Sequence, residues 1–533
     1  MAPALGAGPV DVVRSDELDP AALDKLVQQQ SRALGVPGVA YAVVGPDSVQ
    51  HKAAFGVDGD DQPVSPQTPF LWGSVSKPIT ATLVTLLARD GRLNLDAAVA
   101  KLVPSFTTAD PESAARITVR QLLDHTSGLP EGLELTDRYD ASRSVTSLLP
   151  QIADLEPVAA PGSKHSYSSL NYVVLGAVVE SVTGKPFAQV LSDRLLKRAG
   201  VASPLADAAQ TGQVLPPGHR FLFGTTRAFK TQVDPATVPA GYLVGSADDL
   251  AAYARTQLRG GPVLTETDRT LLHTTQVPVG DNNGYALGWR TSQIPGTDEP
   301  MIWHGGAAPG YQAAIVLLPK RAQAIVVLQN AYSPFHDTAL MDTAFGVAAL
   351  LAATTPEKHS TDPIYPALLI GLGLLSLTLL TLTLLSVLRL LRGAKPGTSR
   401  RTLREVNPGG VQGSESREVQ PVSIQRSESS EATPGSVRRR KPRVAKPRST
   451  RRRLVGLALS LLVLGALAFA LASVLPGLAG VSLGQLSLWA PDLSWLVHVA
   501  LILCGALAVV RVLVTVLHAR SAQTQNHHLP AST

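Results

Sequence analysis

Three long runs of apolar sequence near the C-terminal end constrain this chain more than any other feature. Residues 367–388 and 454–475 contain no charged residue, and residues 493–510 extend the pattern to 517 if Arg511 snorkels toward an interface. About 20 such residues, coiled as a helix, cross the hydrocarbon core of a bilayer, and three in succession are foreign to soluble folds. Their flanks carry interfacial residues: Tyr365 and Arg389 around the first, Arg451, Arg452 and Arg453 before the second, and Trp489 and Trp495 beside the third. The expected organisation is a segment 1–20, a globular domain 21–355, spans 367–388, 454–475 and 493–517, a loop 389–453 and a tail 518–533.

The net charge of +6 would suggest nucleic-acid binding if it were spread over the chain, but residues 389–453 hold about 18 Lys and Arg against about 5 Asp and Glu. That stretch carries roughly +13, so the remainder is mildly acidic. It lacks aromatic residues, is rich in Ser, Pro and Gly, and reads as a disordered cytoplasmic loop whose charge fixes topology. No nucleic-acid partner is expected. One crossing then places the globular domain extracytoplasmically in a multi-pass membrane protein, although residues 1–20 show neither a basic n-region nor an apolar core. The single Cys504 lies in an apolar run, which leaves no disulfide framework and makes a thiolate nucleophile a poor reading.

Periodicity divides the globular part. Residues 39–44 and 49–57 read as strands joined at Gly45-Pro46-Asp47, a hairpin that opens the fold. Residues 74–90 have apolar positions at helical intervals and end at Gly91; further helices are expected at 119–123, 171–183 and 186–198. Strand character returns at 285–290, 311–318 and 324–329, followed by an amphipathic helix over 335–353. Strands from both ends of the domain with helices between them predict one sheet interrupted by an α-helical insertion.

In Leu71-Trp72-Gly73-Ser74-Val75-Ser76-Lys77 a serine and a lysine stand three apart and share one helix face. A serine nucleophile needs a base within reach, and a helix N-terminus directs N–H groups at developing negative charge. Ser-x-x-Lys alone is weak, because composition yields about one in a chain this long. Its context is stronger. Phe70 onward, the block Ile117-Thr-Val-Arg-Gln-Leu-Leu-Asp-His-Thr-Ser-Gly-Leu-Pro130, Pro161-Gly-Ser-Lys-His-Ser-Tyr167, Pro239-Ala-Gly-Tyr, Tyr285-Ala-Leu-Gly-Trp289 and Trp303-His-Gly-Gly-Ala307 together resemble the serine β-lactamase and penicillin-binding-protein family, in its class C and esterase-like branch.

That resemblance covers roughly residues 20–355. It implies an α/β (α+β) serine β-lactamase-like fold: an antiparallel sheet flanked by helices with an α-helical insertion, followed here by about three transmembrane helices. It also implies an acyl-enzyme formed on Ser74, with Lys77 and Tyr167 managing protons and the Ser74 and Ala307 N–H groups holding the oxyanion. His304, Gly305 and Gly306 stand where many relatives have Lys-Thr-Gly, and His304 is expected to steady Tyr167 or contact a substrate carboxylate. Tyr167-Ser168-Ser169 replaces the usual Tyr-x-Asn, leaving Ser169 as a hydrogen-bonding substitute for the amide. These departures favour an ester or small peptide over a β-lactam.

Plainer readings exist for the same residues. Ser74 can be an N-cap, Tyr167 a core aromatic and His304 a packed histidine; His125-Thr126-Ser127-Gly128 reads as a structural turn rather than a second nucleophile. His527 and His528 lack partners at metal spacing, and no phosphate-binding loop follows a strand, so neither metal nor cofactor is expected. The expected partners are a small-molecule or peptide substrate and membrane lipid. The competing reading is a non-catalytic or ligand-acylated sensor domain, or a scaffold for self-association.

Overall fold

The computed structural model describes residues 18–137, 139–201, 208–357, 362–393, 449–478 and 481–527. Residues 1–17 of the expected segment 1–20, most of the basic loop and the end of the tail lie outside them. The chain divides into two compact units: Met1–Ser376 with Phe469–Leu501, and Leu377–Ala468 with Ile502–Thr533.

The first unit is built on an eight-stranded antiparallel sheet. Its spatial order is Val49–Gly56, Gly38–Val44, Gln323–Gln329, Tyr311–Leu318, Pro300–Ala308, Arg290–Gln293, Gly284–Tyr285 and Val277–Pro278. N-terminal strands are thus inserted beside C-terminal ones, as the sequence predicts. The Gly38–Val44 strand is buried throughout because both of its faces meet a core. Val39, Tyr41 and Val43 pack with Leu23 and Val27 of the helix Pro20–Leu34 and with Val347 of the helix Asp337–Leu351. Ala40, Ala42 and Val44 face the opposite core, which holds Ile79 and Leu83 of the helix Ser76–Arg89. Alternation along a strand puts successive side chains on opposite faces, so one apolar run serves two cores.

Two expectations need correction. The fold opens on the helix Pro20–Leu34, capped by Asp19, before the hairpin. The strand expected over 285–290 is broken: Ala286 N–H donates to the Trp289 carbonyl at 2.7 Å, and Gly288 adopts φ +80°. A Cβ at Gly288 would lie 2.7 Å from Ala81 Cβ, so the chain turns there because only glycine fits against the Ser76–Arg89 helix.

The helical insertion carries the segment that later forms part of the site. Arg143 Nη1 meets Asp234 Oδ2 at 2.9 Å with both side chains buried, and Arg143 Nη2 donates to the Leu135 carbonyl at 2.6 Å, which pins residues 133–137.

Among the described residues three helices satisfy the length and apolarity needed to cross a membrane: Ile364–Arg392, Arg451–Gly477 and Pro491–Arg520. In the second unit many of their side chains, including Leu462 and Ile502, stand exposed, while Leu379, Leu464, Cys504 and Leu507 are buried. Arg511, the one charge inside the third run, donates to Ser460 of the second.

Replacing Arg143 with Met leaves the Asp234 carboxyl buried without its partner. The expected loss is about 3–5 kcal/mol of stability, measured by denaturant or thermal unfolding; an unchanged unfolding midpoint would show that the pair does not hold this segment.

Candidate active site

Ser74 sits in a 3-10 turn, Gly73–Val75, immediately before the helix Ser76–Arg89. The turn is held by its neighbours: Trp72 N–H donates to the Leu243 carbonyl at 2.9 Å and Trp72 Nε1 to the Gly245 carbonyl at 3.0 Å, beside the short pairing of Phe70–Leu71 with Val244–Gly245. On its other side lies the strand Pro300–Ala308. That strand pairs with Arg290–Gln293 only as far as Trp303, so beyond that point one of its edges has no strand neighbour. The nucleophile turn fills the gap. A Cβ on Gly73, at φ +52°, would lie 2.6 Å from the Ala307 nitrogen and oxygen, and one on Gly306 would lie 2.0 Å from the Trp72 carbonyl oxygen. Only glycines allow the two backbones to approach so closely.

Lys77 is the second residue of that helix, Ser76–Arg89, one turn on from Ser74, with no exposure to water. Its Nζ is 3.0 Å from Ser74 Oγ, 3.2 Å from Ser169 Oγ and 2.8 Å from the Ala240 carbonyl oxygen. Ser169 is the first residue of the helix Ser169–Thr183, whose N-cap is Ser168. The Tyr167 ring stands 5.0 Å from Lys77 Nζ, and among the described residues its hydroxyl has no hydrogen-bond partner. Ser74, Tyr167, Ser169, His304, Gly305 and Ala307 all line one cavity of about 630 Å³. Gly306 instead packs behind it, against Trp72.

Among the described residues His304 makes no hydrogen bond to Tyr167; their rings lie tilted with centroids 6.3 Å apart. It belongs to a buried chain of neutral groups. Ser168 N–H (3.1 Å) and Asn171 Nδ2 (2.9 Å) both donate to His125 Nδ1, which places the His125 proton on Nε2, facing the Tyr285 oxygen at 3.2 Å. Tyr285 then donates to His304 Nε2 at 3.0 Å, and His304 Nδ1–H donates to the Gly305 carbonyl at 2.7 Å. Burial holds both imidazoles well below their ordinary pKa, helped by Lys77 and Arg290, and burial keeps the Tyr285 phenol protonated. His304 therefore presents no positive charge to the cavity. Ser127 donates to Asn171 at 2.6 Å, in keeping with the structural reading of the His125–Gly128 turn.

Several cavity residues escaped the sequence reading. Arg290 follows the Gly288 turn, its guanidinium 5.3 Å from the Tyr167 ring centroid and 5.5 Å from that of Trp303. Asp137 accepts from Tyr242 at 2.9 Å and from Trp489 Nε1 at 3.0 Å, and burial pushes its carboxyl up to about 6. The only forward signal was the position of Arg290 beside the Tyr285–Trp289 block.

A family model described as Beta-lactamase matches residues 23–349. Protein flp of Staphylococcus aureus (strain MW2) is 27% identical over 321 residues, which cover 59% of this chain and 63% of that protein, so the chain spans less than two thirds of this relative. Penicillin-binding protein 4 of Amycolatopsis lactamdurans is 29% identical over 317 residues, covering 55% of this chain and 81% of that one. The octameric penicillin-binding protein homologue from Pyrococcus abyssi superposes with a TM-score of 0.56 at 23% identity, over 64% of this chain and 79% of its own, a likeness of fold.

The neutral histidines set a sign for pH dependence. A histidine whose folded pKa is depressed binds its proton more readily when unfolded, so its stabilising contribution is complete above the unfolded value near 6.5 and declines as pH falls below it. His125 and His304 together should steepen the loss of stability below that pH by up to about 1.4 kcal/mol per pH unit each. Unfolding measured between pH 7.5 and 5 should show this slope, and His304→Gln should reduce it by about one proton; an equal slope in the variant would contradict the assignment.

Proposed function

This chain belongs to the Beta-lactamase family, and from that premise we propose that it is a membrane-anchored serine hydrolase that forms an acyl-enzyme on Ser74. The observation that carries the reading is the 3.0 Å contact between Lys77 Nζ and Ser74 Oγ inside a cavity that also receives Tyr167. In the proposed reaction Ser74 Oγ attacks a carbonyl carbon while its proton passes to the Tyr167 oxygen, which relays its own proton onward. Lys77 supplies positive charge between the two hydroxyls, and the unengaged Tyr167 hydroxyl delivers the proton to the leaving group. The Ser74 and Ala307 N–H groups hold the oxyanion, which the close packing of Gly73 on Ala307 favours. Water then attacks the acyl-enzyme, releasing the acid and restoring the serine.

An ester, or an amide such as a D-amino-acid peptide, suits the cavity better than a β-lactam. Ser169 Oγ is engaged by Lys77 and offers no amide, and a neutral His304 bonded to Tyr285 offers no cation to a β-lactam carboxylate. The positive charge of residues 389–453 supports a cytoplasmic loop and an extracytoplasmic catalytic domain.

Labelling the full-length protein with a fluorescent phosphonate tests the reading. Wild type should label and Ser74→Ala should not, while Tyr167→Phe should lower turnover of an activated ester about 10²- to 10⁴-fold. Equal labelling of wild type and Ser74→Ala would refute the nucleophile assignment. A folded wild-type protein that does not label at all would favour the sensor reading, in which the fold binds a ligand without turnover.

A further inference from the structure

Residues 481–490 join the second apolar helix, Arg451–Gly477, to the third, Pro491–Arg520. They contain a short helix, Leu483–Trp489, with Ser482 and Gln485 forming a reciprocal cap. This connection is fastened to the globular domain. Trp489 Nε1 donates to Asp137 Oδ2 at 3.0 Å, and its ring meets Tyr332 edge-on at 5.5 Å. Arg220 donates to the Leu488 carbonyl at 3.3 Å. Asp492 accepts from the Phe223 N–H at 2.9 Å and from the Tyr365 hydroxyl. Val481, Leu486, Trp489 and Ala490 line the same cavity as Ser74, and Phe335 and Met341 add to its apolar lining.

On the membrane-anchored reading proposed above, chain connectivity puts this wall at a bilayer surface. A connection between two spans lies where they leave the hydrocarbon, and three spans put the 481–490 connection on the same side as the domain that precedes the first span. A cavity walled by such a connection abuts the headgroup region; its Val481, Leu486, Trp489, Phe335 and Met341 side chains suit an acyl chain, while Glu131, Asp137, Arg290 and Asp337 in the same lining suit a polar head.

We propose that the site takes its substrate from the membrane: an ester-linked amphiphile whose carbonyl reaches Ser74 while its acyl chain lies along Leu486, Trp489 and Phe335. The inference rests on the hydrolase reading above. Ser74 Oγ bonds to the ester carbonyl carbon, the carbonyl–oxygen bond to the alcohol breaks, and the alcohol leaves with the serine proton. Water then cleaves the acyl-serine ester, yielding a fatty acid and free Ser74.

The test compares p-nitrophenyl butyrate and p-nitrophenyl laurate as substrates of the full-length protein in detergent micelles of fixed composition. Wild type should favour laurate in kcat/KM by at least about tenfold, a gain that needs only a few methylenes in contact with the wall. Leu486→Ser and Trp489→Ala should each bring the laurate-to-butyrate ratio down toward one, with Ser74 phosphonate labelling confirming that the variants are folded. A wild-type ratio near one, or variants that leave the ratio unchanged, would overturn the membrane-substrate inference while leaving the hydrolase reading intact. Butyrate turnover and phosphonate labelling both absent would bring down the hydrolase reading, and this inference with it.

Discussion

Lys77 is completely withdrawn from water, and the three groups its amine meets are two hydroxyls and a backbone carbonyl, none of them charged. Isolating an ammonium in this way is expensive unless every proton finds an acceptor, so the three acceptors must be held in place from three directions. Ser74 comes from the turn before the lysine's own helix, Ser169 from the start of a second helix, and the Ala240 carbonyl from a segment that Thr80 also grips by donating to Pro239 at 2.8 Å. The glycines at 73 and 306, the Trp72 hydrogen bonds and the unpaired edge beyond Trp303 all serve to bring these elements to one point.

A second buried arrangement depends on neutrality rather than charge. The His125–Tyr285–His304 chain passes hydrogen bonds from the N-terminus of the Ser169–Thr183 helix to the strand beside the nucleophile without carrying a formal charge. With Lys77 and Arg290 nearby, a third cation in the same buried volume would be repelled, which is a physical reason for imidazoles to suit these positions. The far end of this hydrogen-bonded chain donates to the Gly305 carbonyl beside the nucleophile turn, and among the described residues the Tyr167 hydroxyl has no hydrogen-bond partner.

What could be read from the sequence was whatever lies close along the chain. Ser74 and Lys77 are three residues apart, and the buried runs at 39–44 and 311–318 are continuous, so helix, hairpin and strands were legible from period alone. Resemblance to family blocks extended this to Tyr167 and His304. The partners that complete the site were out of reach: Lys77 finds Ala240 across 163 positions, and Trp489 finds Asp137 across 352. Such contacts depend on tertiary packing that local periodicity does not encode. Trp489 was read as an interfacial anchor because tryptophans beside apolar runs usually are; here its indole turns to the globular domain, whereas Trp495 remains exposed. The break at Gly288 was missed because a lone glycine in a strand pattern does not announce the helix packed against it.

The attachment of residues 481–490 to the domain bears on how such a protein can be dissected. An anchor that merely tethers can be exchanged for any other hydrophobic helix, and the soluble portion can be cut free with its properties intact. Here part of the cavity's lining is supplied by chain lying more than 100 residues beyond the last strand of the sheet. A fragment ending near residue 355 would keep the nucleophile and its neighbours yet present an incomplete pocket. Exchanging residues 481–490 for another connection would leave Asp137 and Tyr332 without their Trp489 contacts.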